Sequence, residues 1–154
     1  MTDVINFKTI IRIIGILLLL ETIMLLACSG ISYYYNDEAL LDFWKSAGIT
    51  AGAGLLMAVA GKGGDKQLTR RDGYVLVSYS WVAFYLFGML PFYISGYVPD
   101  ITKSFFETMS GFTSTGAPVL DNIESLPHGL LFWRSMTQWI GGLGIIMFTI
   151  AVLP

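Results

Sequence analysis

Residues 9–32 hold an apolar run long enough to cross a lipid bilayer, and no other feature of the chain narrows its possible folds as much. The run carries the block IIGILLLL at 13–20 and continues through 22–28, interrupted only by Glu21. About 20 predominantly apolar residues span the hydrocarbon core as a helix. Backbone that enters lipid must satisfy its N–H and C=O groups internally, so a helix is the expected form.

Three further segments qualify as spans. The second, 43–61, is rich in small residues, with Gly48 and Gly52 spaced as GxxxG and Gly54 following. That spacing lets helices approach closely, so this span is expected to pack against protein. The third, 73–96, is crowded with aromatics including Tyr74, Tyr79, Trp81, Phe84 and Tyr85, and carries Gly88 and Pro91, where a kink is expected. The fourth, 127–153, opens with His128, Trp133, Arg134, Gln138 and Trp139 and continues as GGLGIIMFTIAVLP. Only 13% of the residues are charged, against roughly 25% in soluble domains. The chain therefore reads as an all-α membrane protein in contact with lipid.

Lys62, Lys66, Arg70 and Arg71 cluster between spans two and three, whereas Asp37, Glu38 and Asp42 lie between spans one and two. Short cytoplasmic loops carry the excess of Lys and Arg, which places the N-terminus, with Lys8 and Arg12, in the cytoplasm. The segment between spans three and four then begins and ends outside. Within it, Asp100 can N-cap a helix over 101–110, with apolar residues at Ile101, Phe105, Phe106 and Met109 and Gly111 as its stop. Such a helix is about 15 Å long, half a bilayer, and cannot cross. The stretch GFTSTGAPVL at 111–120 is small, hydroxyl-rich and unable to continue the helix. Non-helical backbone at membrane depth survives only inside protein or beside a watery cavity.

A span, a half-length helix, an extended glycine-containing loop and a second span form the layout of a cation-channel pore unit. Potassium must shed water to pass selectively, and backbone carbonyls can replace that water. Gly116 permits the positive φ such a loop needs. The half-length helix would direct its negative C-terminal end toward the ion path.

The runs FFETMSGFTSTGAPVL and LPHGLLFWRSMTQWIGGLGIIMFTIAVLP closely resemble the first pore repeat of the Trk/Ktr/HKT superfamily of potassium transporters, in particular its bacterial TrkH-like subunits. The elements SGFTSTGA, LFWRSxTQWIGGLGI and AVLP occur in the family's order. The resemblance implies an N-terminal helix pair with its cytoplasmic loop over 1–70 and a first pore repeat over 71–154, the remaining repeats lying outside this chain. It implies that Thr113, Ser114, Thr115, Gly116 and Ala117 line one quarter of a potassium filter, with Arg134 and Gln138 supporting it. Relative to the family pattern, Ser114 replaces a common threonine, and Pro118 lacks the N–H a usual threonine would offer. The function implied is selective potassium movement through the bacterial inner membrane, with potassium as cargo and no covalent cofactor. A homodimer and a cytoplasmic nucleotide-binding regulatory subunit (TrkA-like) are the implied partners, besides lipid.

Other functional classes fit poorly. The net charge of −2 gives no basic field for nucleic acid. The single Cys28 and single His128 exclude an internal disulfide and leave no Cys/His metal cluster. No HExxH, paired intramembrane aspartates or Ser/His arrangement points to an enzyme. A non-conducting membrane interaction protein is the alternative. Glu21 is expected to be protonated or hydrogen-bonded within a helix interface, Glu107 and Asp121 to flank the filter, and Gly141, Gly142 and Gly144 to serve packing or a hinge. The sequence LLAC at 25–28 follows a basic start as in a lipoprotein leader, but Glu21 and the downstream spans favour a transmembrane helix.

Overall fold

The computed structural model describes residues 6–64, 69–120 and 122–152, without the side chains of Arg70 and 145–152. Lys66, Asp121 and Leu153 lie outside the described residues. The chain is helical, and no strand occurs among the described residues. The helices are α1 (Phe7–Tyr34), α2 (Leu40–Ala60), α3 (Arg70–Gly88), α4 (Leu90–Ile94), α5 (Ile101–Phe112) and α6 (His128–Val152), with a 3-10 turn at Ile123–Ser125. Three stretches, Phe7–Tyr34, Leu40–Ala60 and Arg71–Ile94, are long and apolar enough to cross a membrane. The 25 residues of α6 extend about 37 Å, also enough to cross.

Side-chain ties fix how these helices run. The Asp72 carboxylate accepts from the Thr69 N–H in a capping box at the start of α3, and also from the Asn6 N–H at the start of α1, at 3.1 Å. The two N-termini therefore share one side. On the other side, Asp37 in the α1–α2 turn accepts the Gly129 N–H at 2.9 Å and lies 3.3 Å from His128 Nδ1. An aspartate distant in sequence thus caps α6, where a carboxylate meets the positive end of a helix. Tyr35 stacks on the His128 ring at 4.1 Å. The segment joining α4 to α6 accordingly leaves and returns on the same side.

The α1–α2 pair is packed backbone to backbone, but not through the GxxxG motif. A Cβ on Gly15 would fall 2.5 Å from the Ala58 nitrogen and 2.7 Å from the Gly54 carbonyl oxygen. Around Gly48 and Gly52, by contrast, nothing lies within 4 Å, and both are exposed. The glycines that matter here are the ones whose phase along α2 matches the buried Phe43, Ala47 and Thr50. Gly48 and Gly52 face outward.

The break between α3 and α4 falls at Met89, with Pro91 at the start of α4. Gly88 is a crossing point: a Cβ there would approach Glu21 Oε1 of α1 at 2.9 Å and Phe112 and Thr108 of α5 at 3.0 Å. The freed Gly88 carbonyl accepts the indole N–H of the fully buried Trp133 at 2.9 Å. Phe112 then seats its ring among Trp81, Phe84, Tyr85 and Trp133. The aromatics of α3 divide into this packed set, Phe87 against Ile10, Ile14 and Leu18 of α1, and the exposed Tyr74 and Tyr79, which suit a membrane interface.

Glu21 is 1% exposed, and neither carboxyl oxygen has a hydrogen-bond partner among the described residues. Of the two expectations for Glu21, protonation or a hydrogen bond within the interface, the hydrogen bond is absent there. A buried polar group left unpaired costs about 1–3 kcal/mol. Glu21→Met, which keeps the length and removes the carboxyl, is therefore expected to raise the denaturation midpoint of the detergent-solubilised protein. A fall in the midpoint would show that the carboxyl is engaged.

Candidate functional site

The site is built on α5, which runs two residues past the expected end at 110, through Gly111 to Phe112. Asp100 caps its start, accepting from the N–H groups of Thr102 at 2.7 Å and Lys103 at 3.2 Å. The Lys103 and then the Thr102 backbone bonds hold the Asp100 carboxyl below its usual range. The cap therefore contributes at neutral pH and is lost as pH falls through that lowered pKa.

The buried face of α5 is its polar one. Ser104, Glu107, Thr108 and Gly111 are buried, whereas Ile101 is 55% and Phe106 42% exposed. Away from water the hydrophobic force no longer sorts faces, and close packing of small residues prevails. Gly111 lies in the helix because a Cβ there would overlap the Thr137 hydroxyl of α6. Gly141 of α6 is similarly bare because a Cβ would overlap the Phe112 carbonyl. These glycines, with Gly144 against Trp81, are packing positions. Residues 137–141 lie about 14–20 Å along α6 from its start, so α5 ends beside the middle of α6.

At that point the chain turns sharply. Thr113 is right-handed, Ser114 adopts φ +54° and Gly116 φ +69°. The Ser114 N–H donates to the Gly111 carbonyl at 2.8 Å and the Thr115 N–H to the Ser110 carbonyl at 3.0 Å. This pair of bonds is a Schellman ending whose left-handed position is filled by Ser114. The serine hydroxyl donates to the Gln138 carbonyl of α6 at 2.9 Å, anchoring a conformation that glycine would otherwise occupy. The Gly116 N–H also reaches the Ser110 carbonyl, at 3.3 Å. The loop is thus not extended throughout: left-handed residues at 114 and 116 break the alternation of carbonyl directions that a strand imposes.

Ser114, Thr115 and Gly116 are exposed, and Thr113 and Ala117 are partly buried. Thr113 and Thr115 hydroxyls pair at 2.8 Å, and the Ser110 hydroxyl donates to the Ala117 carbonyl at 3.0 Å. Pro118 offers no N–H, and the next residue supplies it: the Val119 N–H donates to Glu107 Oε2 at 2.9 Å. The other carboxylate oxygen of Glu107 accepts from Arg134 Nε of α6. Glu107 is 2% exposed, so it is a buried brace and not a charge at an open mouth. Arg134 reaches the loop only through it, while Gln138 meets the loop with its carbonyl at Ser114.

A family model described as TrkH, cation transport protein, matches residues 43–154. The chain belongs to the TrkH family. TrkH proteins similar to it include the Trk system potassium uptake protein TrkH of Halomonas elongata, 35% identical over 150 residues. That of Escherichia coli K12 is 35% identical over 151 residues. Each comparison covers 97% of this chain and 31% of the relative. The crystal structure of the potassium transporter TrkH from Vibrio parahaemolyticus superposes with a TM-score of 0.89 at 36% identity, covering 97% of this chain and 32% of that one. The chain therefore spans about a third of the length of its TrkH relatives.

Sequence reasoning named Ser114 and Glu107 beside the loop but not the contacts they make, and it missed Asp37 as a cap. The left-handed conformation of Ser114 gave no signal, since it depends on the Gln138 partner. Asp37 lies 92 residues from the N–H it caps. Glu107 was expected to flank the filter, but its role as a buried brace could have been found only from the spacing Ser104, Glu107, Thr108, Gly111, which marks a polar helix face.

Proposed function

We propose that this chain is the N-terminal portion of the pore-forming subunit of a potassium uptake system, and that it moves potassium selectively down its electrochemical gradient. The observation that carries this reading is the exposed loop 113–117, which ends a half-length helix beside the middle of α6. Residues 1–70 form a peripheral helix pair with its cytoplasmic loop, and 71–154 form the first pore repeat. Backbone carbonyls of Thr113, Ser114, Thr115, Gly116 and Ala117, with equivalents from three further repeats, replace the water that potassium loses. Arg134 and Gln138 hold this loop in place, and the positive φ of Gly116 makes it the position least tolerant of a side chain.

The named potassium uptake activity of the relatives supports potassium as the cargo, with no covalent cofactor and no enzymatic step. The protein sits in the bacterial inner membrane with its N-terminus in the cytoplasm, where Lys62, Arg70 and Arg71 follow the positive-inside rule. It works as a homodimer with a cytoplasmic nucleotide-binding regulatory subunit. In cells lacking other potassium uptake, the protein at its full natural length is expected to support rubidium uptake. Gly116→Asp, at equal membrane abundance, is expected to reduce that uptake to the level of cells without the protein. Equal uptake by both forms would refute the assignment.

A further inference from the structure

The two limbs of the 113–117 loop are held by different means. On the ascending side, the N–H groups of Thr113, Ser114, Thr115 and Gly116 all bond to carbonyls of α5, at 2.8–3.3 Å. Those bonds are backbone to backbone and do not depend on side-chain identity. On the descending side, two side chains of α5 one turn apart reach across to the chain. Ser110 donates to the Ala117 carbonyl, and Glu107 accepts the Val119 N–H. Pro118 between them has no N–H to give.

Glu107 is thus a fork. One carboxylate oxygen fixes Val119, and the other is occupied by Arg134 Nε, whose side chain is 16% exposed. A carboxylate can accept on both oxygens at once, and charge-assisted bonds are about twice as strong as neutral ones. The fork ties three elements together: the middle of α5, the descending limb and α6. The Ala117 carbonyl, two residues before Val119, is held beside it by Ser110.

We propose that Glu107 is a positioning residue for ion discrimination: through the Val119 N–H it holds the descending limb at the spacing that favours potassium-sized cations over sodium. The proposal rests on the transport reading above. Glu107 does not touch the ion. Its loss should loosen selectivity more than it lowers the amount of folded protein.

The test compares sodium and rubidium uptake by the protein at its full natural length in potassium-uptake-deficient cells. Glu107→Gln keeps the shape but has one carbonyl oxygen for two donors. Glu107→Asp keeps the carboxylate and withdraws it by one methylene. Val119→Pro removes the N–H and leaves the Glu107–Arg134 pair in place. Loss of one charge-assisted hydrogen bond corresponds to about tenfold in an equilibrium constant. The sodium-to-rubidium ratio is therefore expected to rise about tenfold in Glu107→Gln and Val119→Pro, and less in Glu107→Asp. If Glu107→Gln does not reach the membrane, Val119→Pro decides. A ratio unchanged in Val119→Pro, with both ions reduced in proportion, would mean a structural brace only and would overturn the proposal. Absence of rubidium uptake by the native protein would instead overturn the transport reading itself.

Discussion

Gly141→Val is expected to abolish the packing of α5 against α6, giving little or no protein at its native size in detergent. The Cβ of any residue at 141 would overlap the carbonyl of Phe112, and the atoms it meets are backbone, which cannot rotate away. Relief requires moving the end of α5 away from α6. That motion would pull Phe112 out of its ring cluster and disturb the Ser114 bond to Gln138. Overpacking a core ordinarily costs about 1–3 kcal/mol, and a backbone collision belongs at or above the top of that range. Gly141→Ala should show the same defect in milder form. Gly52→Ala is the matched control, because nothing lies within 4 Å of the Cβ it would add. Fluorescence-detected size-exclusion chromatography of the variants would read this directly. Equal peaks for Gly141→Val and Gly52→Ala would contradict the packing described.

Arg134→Met is expected to destabilise the protein by about 3–5 kcal/mol, the range for removing one partner of a buried ion pair. The asymmetry of burial explains why the arginine is the more damaging end to remove. Glu107 is 2% exposed and is left as an uncompensated charge, whereas Arg134, at 16%, can shift toward a more polar surrounding. The double variant Arg134→Met with Glu107→Gln removes both charges and should recover most of the loss. Denaturant titrations of native, single and double variants give the coupling between the two sites. Additive losses would show that the pair contributes nothing beyond its separate side chains.

The spans were legible because apolar runs of bilayer length leave few alternatives, and the α3–α4 break was legible because Pro91 cannot continue a helix. Finer features failed for physical reasons. The GxxxG motif names a spacing but not a direction, and the packed glycines are instead Gly15, Gly54 and Gly61. Gly111 resembles a helix stop, yet it is retained for the contact with Thr137, while the stop itself falls on Ser114. The apolar residues that recur along α5, Ile101, Phe105, Phe106 and Met109, are not its buried face: Ile101 and Phe106 are exposed and the other two half-buried. The amphipathic rule assumes water on one side of a helix, whereas helices in contact with lipid are sorted by close packing of small residues. The long-range partners Asp37 with Gly129 and Glu107 with Arg134 leave no local trace in the chain.

The central claim is that the carbonyls of 113–117 line the ion path. Thallium substitutes for potassium and scatters anomalously, so diffraction from crystals of the protein at its full natural length, grown with thallium, tests the claim most directly. The account predicts anomalous density bordered by the backbone oxygens of Thr113 to Ala117 and lost in Gly116→Asp. Density confined to other parts of the molecule, with none beside this loop, would contradict it.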